Sequence, residues 1–356
     1  MKTSRPKRTR GIALVVVMIA IFVLAVLVGT FAFSMKVEVK LAMNASREDD
    51  LVRLGRSGLY RACWILRQHM MNCPIDNLKQ KWAGESGSDC DTNGPLADLS
   101  LDNFEIVDPV SQKVLGTVSL RIEDLERKIN INMATDKILS DALGVVGVDG
   151  GETPAITSSI LDWIDPDDAE RVNGTESDYY QTLDPPYYAK NKPMDELSEL
   201  LLVRGVTPEM YWGYIATNHA PAAFQRGNRL GRQNREPAYP VGLVDLFTPL
   251  SSGQVNGLTA SAPVVAVLLG GNQTAADAFV QLRDASDSNG MRIEDLLRSA
   301  GLNNAEIPGV MRYMTTRSST FKVEIDARIG DYHRTFYGII RRNSPQDAQI
   351  LDFHWN

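Results

Sequence analysis

Apolar residues keep three different periods along this chain, and each change of period marks a new element. From Ile12 to Phe33 twenty-two residues pass without a charged side chain. At about 1.5 Å per residue, a helix of that length spans the ~30 Å hydrocarbon layer of a bilayer. Val37, Leu41, Leu51, Leu54 and Trp64 then recur at loosely helical spacing, without proline, until Cys73-Pro74. The pattern predicts one continuous helix of about sixty residues, which Gly55 and Gly58 weaken without ending.

Residues 75–100 are polar and irregular. Period two follows in Phe104–Asp108 and in Val114–Ile122, with Asp108-Pro109-Val110-Ser111 as turn chemistry between them. This predicts a β-hairpin running into Glu126–Asn132. From 133 the pattern becomes that of short helices, with Thr153-Pro154 and Thr207-Pro208 read as caps followed by a first-turn proline. Residues 165–192 have no period, and 218–240, rich in Asn, Gly, Arg and Pro, read as a linker. Helical patterns return at 262–269, 274–285 and 292–300. A closing hairpin is predicted from Phe321–Ile329 and Tyr332–Arg341 around Gly330-Asp331. Asn130–Thr135 and Val255–Ala260 echo one another, an asparagine ending an extended segment before a helix. On spacing alone this reads as coincident capping chemistry.

Charge sharpens the first element. The net charge of −7 hides five cations in the first ten residues (Lys2, Arg5, Lys7, Arg8, Arg10), so the remainder carries −12. Cations flanking an apolar span keep that end in the cytoplasm and place the rest beyond the membrane. A cleaved secretory signal fits poorly. The apolar run is too long, Thr30–Ser34 offers no small-x-small site, and Gly11 sits oddly between the last Arg and the first Ile. Residues 149–199 hold thirteen Asp or Glu against three Lys or Arg. Such an acidic surface disfavours nucleic acid and suits divalent cations or basic proteins.

Of three cysteines, Cys73 and Cys90 share a loop-like region and form the preferred disulfide in an oxidising compartment. Cys63 would then be a buried helix residue, although the odd count leaves the pairing open. The four histidines are scattered without ligand spacing.

A basic leader ending in Gly11, followed at once by an apolar helix, resembles the prepilin-type signal of type IV pilins and type II secretion pseudopilins. The resemblance implies that a prepilin peptidase cuts between Gly11 and Ile12. It also places Val16 at the fifth mature position, where major pseudopilins have a glutamate that meets the next subunit's terminal amine. Protein K of the type II secretion system characteristically lacks that glutamate, and further motifs resemble its family. They stand as Lys128-Ile-Asn-Ile-Asn132, Trp163-Ile-Asp-Pro-Asp167, Gly174-Thr-Glu-Ser-Asp-Tyr-Tyr180, Pro186-Tyr187 with Asn191-Lys-Pro193, and Glu199-Leu-Leu-Leu-Val-Arg-Gly205.

The resemblance implies an α+β chain: a long N-terminal transmembrane and amphipathic helix, a pilin-like antiparallel sheet and a large, mainly helical insertion. The expected parts are a leader at 1–11, a transmembrane stretch at 12–34, a core of 35–132 with 317–356, and an inserted domain at 133–316. It further implies a single-pass inner-membrane protein with its globular part in the periplasm. Sibling minor pseudopilins would pack against its N-terminal helix, and an inner-membrane assembly platform would be a further partner. The expected role is structural, at a filament tip.

Asp162, Asp165, Asp167, Asp168, Glu176 and Asp178 crowd into seventeen residues and repel one another unless a cation or an arginine intervenes. By themselves they read as a solvated acidic loop with Asp-Pro turns. The resemblance implies Ca²⁺, whose flexible oxygen coordination such a loop can wrap, with Asp165, Asp167, Asp168, Glu176 and Asp178 as candidate ligands. Paired acids can also cleave glycosides, and Trp163, Tyr179, Tyr180, Tyr187 and Tyr188 could stack on sugar. No nucleophile or pocket is marked nearby, and these rings read as the core anchoring the loop. A different alternative is a membrane-anchored DNA-uptake protein. Leu202–Pro208 resembles a helix-hairpin-helix turn, but its surroundings are acidic, and Arg226, Arg229, Arg232 and Arg235 read as a solvated loop.

Overall fold

The computed structural model describes residues 10–87, 90–92, 94–216, 239–285 and 292–355. The leader through residue 9 and most of the predicted linker, 217–238, lie outside the described residues.

Helix α1 runs unbroken over Arg10–Asn72. From Ala13 it is long and apolar enough to cross a membrane, and none of its membrane-length part is buried by the described residues. Its last third turns amphipathic. Leu51, Leu54, Leu59, Ala62, Ile65 and Leu66 are buried at i, i+3, i+4 spacing against a five-stranded antiparallel sheet. The strands are β1 (Phe104–Val107), β2 (Val114–Asp124), β7 (Thr320–Ile329), β8 (Tyr332–Arg342) and β9 (Ala348–Trp355), in that spatial order. The inward rows are in register, with Leu120 opposite Ile325 and Ile325 opposite Phe336. Full burial of each such side chain contributes on the order of 1.5–3 kcal/mol.

The two glycines that weaken the helix pattern sit where α1 crosses the sheet. A Cβ on Gly55 would come within 2.6 Å of the Phe336 ring, and one on Gly58 within 2.7 Å of Ile325. Strand β9 was not expected. As an edge strand it buries little, and its adjacent Ile350 and Leu351 break the alternation by which strands are recognised.

Between β2 and β7 the chain leaves the sheet and builds a second apolar core from residues 129–314. Four two-residue strands frame it: β3 (Ile129–Asn130) pairs in parallel with β4 (Phe247–Thr248), and β5 (Val255–Asn256) with β6 (Met314–Thr315). The helices are α2 (Asp136–Val146), α3 (Thr153–Ile164), α4 (Ser177–Tyr180), α5 (Pro208–Ala216), α6 (Leu243–Leu246), α7 (Ala262–Leu268), α8 (Gln273–Ala285), α9 (Ile293–Ser299) and α10 (Ile307–Met311). Thr153 lies inside α3 rather than capping it. The turn before it is already helical, with the Asp149 carbonyl accepting the Glu152 and Thr153 amides. Thr207 does cap α5, its hydroxyl accepting the Met210 amide at 3.3 Å.

The echo in the sequence is a structural repeat, not coincidence. Asn130 and Asn256 each end a short strand and accept the amide two residues on, at 2.9 and 3.0 Å. In the returning strands Thr248 and Thr315 also accept the amide two residues on. Each asparagine amide then reaches a serine, the Ser251 carbonyl or the Ser318 hydroxyl, at 2.8 Å. The next serine of each copy, Ser252 and Ser319, donates its amide to one carboxylate, Glu126.

Candidate functional site

The acidic loop leaves the C-terminus of α3 and is folded by its own charges. Asp162, fully buried, accepts the amides of Thr175 at 2.7 Å and Arg171 at 3.3 Å. Its other oxygen lies 3.1 Å from Arg171 Nε. Gly174 is required at this point, because a Cβ there would collide with the Asp162 carboxylate. Arg171 also reaches Asp165 Oδ2 at 2.7 Å. Asp162 therefore holds the turn, a role its place in the crowded sequence does not distinguish.

Beside this scaffold, oxygens of Asp165, Asp167 and Glu176 lie within 4.8 Å of one another. Both Glu176 carboxylate oxygens, Asp165 Oδ1 and Asn191 Oδ1 are buried without a hydrogen-bond partner. Burial, with the charges of Asp162, Asp168 and Asp165, pushes the Glu176 carboxyl up to about 7. Asp168 accepts the Asn191 amide at 3.2 Å, a bond that holds its carboxyl below the usual range. Asn191 was not predicted. It arrives from outside the acidic run with its backbone in the left-handed region (φ 49°), and only its place beside Pro193 hinted at a constrained turn. Asp168 and Asp178 are exposed and lie outside the group of three clustered carboxylates.

Trp163, Tyr180 and Tyr187 anchor the loop from below. Tyr180 packs edge-on against Trp163 at 5.3 Å and stacks on Tyr187 at 5.2 Å. Trp163 and Tyr180 are buried, so neither offers a stacking platform to a sugar. The Leu202–Pro208 turn has Gly205 at φ 86°, as a hairpin needs. Its Arg204, however, is directed at the acidic loop, over the Tyr179 ring at 5.0 Å and onto Thr175 Oγ1 at 3.0 Å. That removes the cation a phosphate would require.

A second group of buried charges joins sheet, helix and insertion. Arg342 donates to Asp76 Oδ2 at 2.7 Å and to the carbonyls of Ser318 and Leu66. Asp124 accepts the hydroxyls of Thr259 and Ser318 at 2.5 and 2.6 Å and the Glu126 amide at 2.8 Å. Glu126 accepts the amides of Ser252, Ser319 and Thr320 and the Ser319 hydroxyl. Burial and the neighbouring Glu126 charge raise the Asp124 carboxyl. None of these residues stood out in the sequence. Cys73 and Cys90 are disulfide-bonded, and Cys63 is a buried free thiol. Gly11 and Ile12 lie in the first turns of α1, and Val16 is exposed one turn further along.

Residues 120–214, which include the acidic loop, match the family model described as type II secretion system (T2SS), protein K. The chain is 32% identical over 110 residues to the putative type II secretion system protein K of Escherichia coli (strain K12), covering 27% of this chain and 33% of that protein. It is 26% identical over 215 residues to type II secretion system protein K of Aeromonas hydrophila, covering 58% and 61%. These alignments thus span between about a third and three fifths of the relatives' own length. The fold is shared with a chain in the crystal structure of the GspK-GspI-GspJ complex from the enterotoxigenic Escherichia coli type 2 secretion system. The TM-score is 0.62 at 18% identity, covering 88% of this chain and 99% of that one. A family match within the insertion, relatives of one description and a fold held in common along nearly the whole length make this chain similar to protein K of the type II secretion system.

Proposed function

We propose that this protein is a minor pseudopilin, a structural subunit at the tip of a short periplasmic filament that exports folded proteins across the outer membrane. The observation that carries this reading is α1, whose membrane-length part is left unburied by the described residues while its last third is built into the sheet core. A rod of this kind meets lipid on one side and sister rods on the other. The siblings are the counterparts of the chains that accompany GspK in the crystallised complex. A prepilin peptidase cuts between Gly11 and Ile12, and an inner-membrane platform receives the mature helix. Val16 offers no carboxylate to the amine of a subunit added above it, which suits a chain that ends the filament.

Ca²⁺ belongs to the same reading. Asp165, Asp167 and Glu176 form a clustered, oxygen-only donor set, in which Asp165 Oδ1 and both Glu176 oxygens are buried without a partner, as a hard cation requires. The ion would supply charge that neutralises the cluster and ties the loop to the segment carrying Asn191.

N-terminal sequencing of protein recovered from membranes tests the filament role. A start at Ile12, with sibling pseudopilins co-purifying, is expected. An intact Met1, or a terminus beyond Phe33, would overturn it.

A further inference from the structure

The last turn of α1 and the loop beyond it gather four metal-ligating side chains outside the acidic loop. The Cys73 amide donates to the His69 carbonyl at 2.8 Å, continuing the helical bond, so both side chains leave the same face. Cys90 and Asp91 come back from the other side of the loop, and the bonded cysteines lie 5.3 Å apart at Cα. A His69 ring nitrogen, Cys73 Sγ and an Asp91 oxygen lie within 4.8 Å of one another, all three residues being buried.

The hydrogen bonds of His69 are informative. Its Nε2 is 3.1 Å from Asp76 Oδ1 and 3.3 Å from the Ile75 carbonyl. Two acceptors at Nε2 place a proton there, so Nδ1 is the nitrogen available to a metal. That nitrogen is fully buried, has no hydrogen-bond partner and faces Asp91 Oδ2 at 4.0 Å. A carboxylate or carbonyl on the far nitrogen is how proteins orient a metal-binding imidazole. Asp91 is steadied in turn by the Lys81 amide at 2.8 Å.

We infer that the dithiol form of this protein binds one zinc ion through the Cys73 and Cys90 thiolates, His69 Nδ1 and the Asp91 carboxylate. Two sulfurs, an imidazole and a carboxylate make up a four-ligand set of the types Zn²⁺ favours. The chain carries both thiols when newly made, before any oxidant has acted. Thereafter two equivalents of a thiol reductant return them, the reductant leaving as its own disulfide. Each cysteine gives its proton to solvent as it ligates, and exchange with an oxidant disulfide, which leaves as its dithiol, re-closes the bond and releases the ion. The same two sulfurs therefore hold the 73–91 loop in either redox state.

The test is a Co²⁺ titration of the full chain in detergent, once oxidised and once reduced with a phosphine under argon. The reduced chain is expected to bind one Co²⁺ with thiolate-to-cobalt absorption, which the acidic loop cannot produce, and Zn²⁺ should bleach it. The oxidised chain should show none. Cys63→Ser should keep the spectrum, and Asp76→Asn should weaken zinc binding about 10–100-fold. Absence of the band in the reduced wild-type chain overturns the inference, and that measurement needs no variant to fold. So does an unchanged spectrum in a folded His69→Gln chain.

Discussion

Two groups of buried acids sit in this molecule, and they are finished differently. At the junction of sheet and insertion, every carboxylate is met by the chain itself. Asp76 has Arg342 and His69, Asp124 has two hydroxyls and an amide, and Glu126 has three amides and a hydroxyl. In the acidic loop Arg171, Asn191 and backbone amides meet Asp162, Asp167, Asp168 and one oxygen of Asp165, while Glu176 is buried with both oxygens bare. Acid density is therefore a poor sign of a ligand site. What marks one is a donor set that the fold desolvates and leaves unsatisfied.

Breaking the completed group should have the largest effect. Arg342→Leu leaves Asp76 as an unpaired buried charge and should cost about 3–5 kcal/mol in urea unfolding. Burial alone would raise the Asp76 carboxyl, but the His69 bond and the Arg342 charge outweigh it and hold it at about 2. That contribution is fully present above the unfolded value of about 3.9 and is lost as pH falls towards 2. Wild-type urea midpoints should therefore drop across that acid window, and the Arg342→Leu chain should show a smaller drop.

The open group should respond to calcium instead. At a hundredfold excess over Kd the ion should add about 2.7 kcal/mol, read as a rise in Tm that a chelator reverses. Glu176→Gln should abolish most of that rise while leaving the junction's acid response intact. If Arg171 already neutralises the loop, calcium will leave Tm unchanged and the two groups will prove alike.

Away from both groups, Gly58→Val drives a side chain against Ile325 and Val118. It should cost about 1–3 kcal/mol in the same unfolding assay, whether or not calcium is present. The smallest effect belongs to Asp178→Asn, expected within about 0.5 kcal/mol of wild type with the calcium rise preserved.

Helix α1, β2, β7 and β8 were legible because each carries its own period over eight or more residues. Burial of Phe321, Val323, Ile325, Ala327 and Ile329 follows the alternation that the residues display. Strand β9 was hidden because an edge strand has no buried row to announce it. The acidic loop was visible as a region, but not as a site. Asp162 and Asp165 differ by three positions and by nothing in composition, yet one oxygen of the first accepts the two backbone amides that hold the turn, while the second is met only by the Arg171 side chain.

The sequence by itself determined the apolar rod, the order of the elements and the acidic character of the insertion, because periodicity and charge are local properties of a chain. Tertiary structure alone decided which carboxylates are met by Arg171 and Arg342, and which histidine nitrogen lies bare beside the disulfide. Those outcomes depend on groups distant in sequence, such as Asn191 beside Asp168 and Asp91 beside His69, arriving at one point from which water is excluded.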